Sequence, residues 1–140
     1  MIQVQGTSST TEFEKFENRR KYPRISLDVN ASLLLPGKQF INVTLHDISV
    51  CALQARFDAI TQETIRSALQ HAGAAEKHVL GIEFRIKLHD KEEEICLPCT
   101  PVYICELEQN VFAMGLQFSD VESRNQTLIN KFIEVSMEPL

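Results

Sequence analysis

The sequence predicts a mainly β domain, an antiparallel barrel or sandwich of about six strands with helices packed on an end or a face. Three observations predict it. Apolar and polar residues alternate with period two through most of the chain. Turn residues divide that alternation into short, consecutive runs. A helical period appears only near the N-terminus, in one inserted stretch and at the C-terminal end.

Size and composition fit one such domain. The chain has 140 residues, 44% hydrophobic and 24% charged. A domain of this length buries a core without disulfide or metal staples. The longest apolar run, Val111 to Leu116, is far shorter than the roughly 20 residues of a spanning helix. No membrane insertion is expected.

Residues 1–10 are polar and rich in Ser and Thr, so a mobile arm is expected over residues 1–18. Thr11 and Glu14 fit a capping box, with Phe13 and Phe16 on one face of a short helix. Pro23 disfavours helix at Tyr22 and ends that helix near Arg20. The single domain then runs over residues 19–140.

The clearest strand follows. Ile25, Leu27, Val29, Ala31, Leu33 and Leu35 alternate with Ser26, Asp28, Asn30, Ser32 and Leu34. Pro36-Gly37 marks a turn, and Ile41, Val43 and Leu45 resume the pattern. Residues 47–52 interrupt it before Leu53, Ala55 and Phe57 suggest a third strand. Residues 61–72 change to helical spacing at Ile65, Ala68, Leu69 and Ala72, with Thr61 as cap and Gly73 as stop.

Strand pattern returns at Leu80, Ile82, Phe84, Ile86 and Leu88. Residues 89–94 read as a charged turn. Residues 95–106 and 111–118 read as a hairpin with Gln109-Asn110 at its turn. Leu128, Ile129, Phe132, Ile133 and Val135 make a C-terminal amphipathic helix.

The net charge of −5 opposes a nonspecific nucleic-acid binder, and Trp is absent. Against that acidity, Arg19, Arg20, Lys21 and Arg24 place four cations in six residues. Arginine's planar fork pairs bidentately with phosphate and with the O6/N7 edge of guanine. Two arginines separated by a proline flank a bend and could close on an anion. The same residues also read as a solvated basic entry to the first strand.

Asp47-Ile48-Ser49 lies where two strand patterns meet. Such residues bond local backbone N–H groups in turns. An ionised Asp can equally accept from the N1–H and N2–H of guanine, with a Ser hydroxyl beside it.

Together these residues carry a resemblance. Arg20-x-x-x-Arg24 resembles the RxxxR motif of the PilZ domain, and Asp47-x-Ser49-x-x-Ala52 is similar to its [D/N]xSxxG motif. Met114-Gly115-Leu116-Gln117-Phe118 resembles the G-[LIV]-x-F stretch near the end of these barrels. The resemblance spans roughly residues 17–120. It implies a six-stranded antiparallel β-barrel, a PilZ-like split barrel, with a C-terminal α-helix. It implies binding of the bacterial second messenger cyclic di-GMP by Arg19, Arg20, Arg24, Asp47, Ser49 and the position of Ala52.

One residue departs from the pattern: Ala52 stands where the family has glycine. A left-handed backbone there would cost about 1–2 kcal/mol with alanine. A methyl aimed at the ligand would lower affinity instead. The helix over residues 61–72 is longer than the connection the family leads one to expect.

Other chemistry is weakly signalled. Tyr103 alternates with Val102 and Ile104 and is expected to face outward, where it could stack on a base or simply cover apolar neighbours. Cys96-x-x-Cys99 has redox or zinc spacing. It stands in a strand pattern, without the helix that activates a redox thiol or a second ligand pair for zinc. Buried structural thiols are expected for Cys51, Cys96, Cys99 and Cys105. No cofactor or metal is expected, and the absence of HExxH, GxSxG and phosphate-loop signatures gives no enzyme.

Residues 1–14 lack the basic and apolar regions of a secretory signal, so the cytoplasm is the expected compartment. The expected function is a cytoplasmic cyclic di-GMP receptor that orders its N-terminal arginine arm on binding and signals to a protein partner. A degenerate domain that binds no nucleotide and acts as a protein-interaction module is the alternative.

Overall fold

The strong alternation over residues 25–35 becomes the first strand. The computed structural model describes residues 22–72 and 78–138. The expected arm, with Phe13, Phe16, Arg19 and Arg20, lies outside the described residues, as does Gly73. The elements are β1 (Ile25–Leu35), β2 (Gln39–Ile48), β3 (Ala52–Phe57), α1 (Ala59–His71), β4 (Leu80–Leu88), β5 (Lys91–Glu108), β6 (Val111–Phe118) and α2 (Ser123–Ser136). All strand pairs are antiparallel. Their order β1-β2-β3-β6-β5-β4 closes on itself through β4 and β1, giving a ring with two helices among the described residues.

Turn chemistry sets the boundaries. Pro36 and Gly37 occupy the centre of the β1–β2 turn, where Gly37 takes φ 85° and Lys38 donates from its N–H to the Leu35 carbonyl at 3.2 Å. Glycine is the residue that reaches such φ without steric cost. Between β4 and β5 the loop is only His89-Asp90, both at positive φ, and Leu88 pairs with Lys91. That is the geometry of a tight hairpin with left-handed central residues. The expected charged turn over residues 89–94 is thus corrected to two residues. Lys91–Glu94 are strand, paired with Arg85–Leu88.

α1 also starts earlier than its apolar spacing suggests. Asp58 is the N-cap, and its carboxylate accepts from the Thr61 N–H at 2.8 Å. That bond holds the Asp58 carboxyl below its usual range. Thr61 therefore lies inside the helix rather than capping it. Asn110, at the β5–β6 turn, accepts from the Ala59 N–H at 3.0 Å and fixes where α1 leaves the sheet.

The inward faces fill one core. Leu33, Leu45, Ile48, Leu53, Ile82, Ile95, Met114 and Leu116 are essentially inaccessible. Ile65 of α1 and Ile129 and Ile133 of α2 join the same cluster. α2 is tied to the sheet by side chains as well. Buried Asn125 donates to the Cys96 carbonyl at 2.8 Å, Arg124 to the Glu94 carbonyl at 3.2 Å, and Gln126 to the Val50 carbonyl at 3.0 Å.

Candidate functional site

The site is built on the outer wall of the ring, at the end where β1 begins and β2 ends. Simple alternation from Leu45, which faces the core, would turn Asp47 inward and Ile48 outward. An irregularity between Leu45 and Asp47 in the β2–β3 register reverses this parity. Ile48 enters the core opposite Leu53, and Asp47 stands outside opposite Gln54. β-bulges re-aim side chains in this way beside functional sites. It also means that β2 continues through Asp47, where the sequence pattern appeared to break.

Successive registers extend one lateral row across the outer wall. Ser26 faces Asp47, Asp47 faces Gln54, Gln54 faces Gly115, and Gly115 faces Tyr103. Arg24 lies just before β1, and its guanidinium Nη1 is 3.7 Å from Asp47 Oδ2. The Asp47 side chain is 10% exposed and that of Arg24 39%. The structure thus brings one residue of each sequence motif together as an ion pair.

Ser49 behaves differently. It is fully buried, and its hydroxyl is 3.3 Å from both the Ala52 carbonyl, to which it donates, and the Cys51 N–H, from which it accepts. Its N–H donates to the Ala52 carbonyl at 2.8 Å. These bonds shape the tight connection from β2 to β3. Phe118 then donates to the Cys51 carbonyl at 2.9 Å, locking the connection against β6.

Ala52 is buried on the outer face opposite Gln117. It is not among the residues at positive φ. The backbone therefore imposes no left-handed cost on alanine here, and only the methyl's volume remains as a consequence.

Tyr103 does face outward, but it is not an exposed stacking platform. It is 5% exposed. Its ring lies on Gly115, where an added Cβ would come within 2.2 Å of Cε2. Its hydroxyl accepts from Gln54 Nε2 at 2.8 Å. Gln54 Oε1 in turn accepts from Arg56 Nε at 2.9 Å. Buried Gln54 and half-buried Arg56 belong to this wall although their motifs are silent. Period two alone could have found them, since they share with Ala52 the face opposite Leu53, Ala55 and Phe57.

The cysteine pair divides between the two sides of β5. Cys96 is exposed and, outside the pair, Cys51 is half-buried, correcting the expectation of buried thiols for both, while Cys99 and Cys105 are buried. Residues three apart on a strand point to opposite faces, so the pair cannot share a bond or a metal. Burial pushes the Cys99 thiol up to about 12; burial and the Glu83 carboxylate push Cys96 up to about 11. All four cysteines are free, and no cluster of metal-ligating residues occurs among the described residues. No helix among the described residues is long and apolar enough to cross a membrane.

These features define a class: a small antiparallel β-ring domain with a charged site on its outer wall. Residues 18–134 match the PilZ domain family. The chain belongs to that family. No curated protein matches it.

Solved structures with a similar fold include the Bacillus subtilis inhibitor of motility MotI/DgrA, at 14% identity and TM-score 0.63. The Escherichia coli YcgR PilZ domain with c-di-GMP aligns at 14% identity and TM-score 0.57. The K. pneumonia MrkH–c-di-GMP complex aligns at 17% identity and TM-score 0.55. The alignments cover 85%, 84% and 83% of this chain, and 51%, 90% and 51% of the other chains. The chain thus spans about half of MotI/DgrA and of MrkH, and most of the YcgR domain. At such low identity the likeness is one of fold.

Proposed function

We propose that this protein is a receptor for cyclic di-GMP. The observation that carries the reading is the approach of Arg24 to Asp47 at 3.7 Å on the outer wall of a PilZ-family ring. Two sequence motifs some twenty residues apart meet there. Solved relatives of the same fold, YcgR and MrkH, are complexes with c-di-GMP.

In this reading residues 1–18 form an arm and residues 19–140 the domain. Arg19, Arg20 and Arg24 grip the phosphates and guanine edges through forked, charge-assisted hydrogen bonds. Asp47 accepts from the N–H edge of a guanine. Ser49 acts through the connection it shapes, and Ala52 floors the site beside it. Binding draws the arginine segment onto the rim bearing Asp47 and orders it, and a protein partner reads that change. No catalytic step is assigned.

The alternative of a non-binding, degenerate domain drew its support from Ala52. Its ordinary backbone removes half of that support. Calorimetric titration with cyclic di-GMP, with GTP as control, tests the reading. Saturable binding of the cyclic dinucleotide alone is expected. Absence of heat up to high micromolar ligand, with the protein folded, would overturn it.

A further inference from the structure

Resting on that reading, we infer that Arg56 is a further ligand-contacting residue, taking a phosphate of the cyclic dinucleotide from the β3 side of the site. Arg56 follows Gln54 by two positions on the same outward face, which puts the two Cα atoms about 7 Å apart. Gln54 is the register partner of Asp47. Arg56 thus stands one step along the wall from the row that carries the Arg24–Asp47 pair.

Its guanidinium is held from one side only. Nε donates to Gln54 Oε1 at 2.9 Å, and Gln54 is itself anchored by the Tyr103 hydroxyl at 2.8 Å. Tyr103 is fixed in turn by its seat on Gly115. This chain of buried groups sets the plane and direction of the arginine and leaves the paired terminal NH2 groups unspent. Among the described residues no carboxylate lies within ion-pair distance of Arg56.

Arg56 lines a groove of about 570 Å³ with Ser26, Asp28, Thr44 and His46. That groove adjoins the Asp47 row. A preoriented fork whose charge has no counter-ion among the described residues is suited to two oxygens of one phosphate. A guanine edge would satisfy the fork's hydrogen bonds but leave its charge uncompensated. Arg24 on the β1 side and Arg56 on β3 would then hold the dinucleotide from two directions.

The test compares wild type with Arg56→Ala and Arg56→Lys by calorimetry with cyclic di-GMP, each checked by thermal unfolding. The phosphorus resonances of bound ligand are followed by NMR. Arg56→Ala is expected to weaken binding by about tenfold or more, the scale of one charge-assisted bond. Arg56→Lys, which keeps charge but not the fork, is expected to recover only part of it. The variants are also expected to lose the binding-induced shift of one phosphorus resonance. Unchanged affinity and unchanged phosphorus shifts in folded variants overturn the assignment while leaving the receptor reading intact. Weaker binding with both phosphorus shifts preserved overturns it too, by reducing Arg56 to a support for the wall. If wild type itself does not bind, the receptor reading falls and this assignment falls with it.

Discussion

The ring of Tyr103 rests on the backbone of Gly115, so closely that a Cβ at position 115 would meet Cε2 at 2.2 Å. The glycine of the Met114–Phe118 stretch is there for this aromatic ring and not for an unusual backbone, since Gly115 takes no positive φ. The contact closes the apolar patch of Tyr103, Cys105 and Ala113 on the outer wall. It also fixes the hydroxyl that anchors Gln54.

Gly115→Ala is therefore expected to destabilise the fold by about 1–3 kcal/mol through overpacking. The check is chemical denaturation in a double-mutant cycle with Tyr103→Ala. In that background the added methyl has room, and most of the penalty should vanish. An equal penalty in both backgrounds would show that the ring is not what position 115 accommodates.

Arg24→Ala separates binding from stability. Asp47 is 10% exposed but Arg24 is 39% exposed, so at 3.7 Å this half-solvated pair contributes only about 1 kcal/mol to folding. A forked contact to a phosphate or guanine is worth about 1.5–3 kcal/mol, so affinity for cyclic di-GMP should fall roughly tenfold or more. Unfolding midpoints and calorimetric titrations of the same preparations check both halves. Retained affinity would remove Arg24 from the site.

Those two cases mark what the sequence could and could not convey. Alternation over Ile25–Leu35 and Leu80–Leu88 was legible because each strand buries one face only. The start of β5 was not, because Lys91–Glu94 lie at an exposed corner where charge hides the strand pattern and His89-Asp90 lacks a glycine signal. Asp47 and Ser49 were legible as a pair. Their different fates were not: a register irregularity in β2 turns Asp47 outward, while bonds to Cys51 and Ala52 hold Ser49 buried in the β2–β3 connection. The alternation around Tyr103 marks it as outward, but outward is not exposed when a glycine beneath and a glutamine beside it make a pocket for the ring.

Ala52→Gly tests what the departure from the family motif does. Alanine adopts an ordinary backbone at this position, so glycine relieves no strain. It adds chain entropy to the unfolded state and should lower stability by about 0.5–1 kcal/mol. Removing the methyl should leave cyclic di-GMP affinity equal or higher. Denaturation and titration side by side provide the measurement. A stabilised Ala52→Gly variant would mean that the backbone at this position is strained after all.

The thiols of β5 give a prediction with a definite sign in pH. The reactive species is the thiolate. Cys96 is accessible but is pushed up to about 11, in part by its bond to the Glu83 carboxylate at 3.2 Å. Alkylation of the native protein at neutral pH should therefore be slow at Cys96 despite its exposure, rising tenfold per pH unit until about pH 11. Glu83→Gln removes the repelling charge and should speed the reaction at a fixed pH. Cys99 is raised from 9.0 to about 12 by burial alone. Its protonated form is thus favoured in the fold. The contribution to stability is complete below pH 9 and is lost as pH climbs towards 12. Mass-spectrometric alkylation rates and denaturation midpoints across that range check both thiols. Fast labelling of Cys96 at pH 7 would contradict the charge argument, and a Cys96–Cys99 disulfide under mild oxidant without unfolding would contradict the opposite-face geometry.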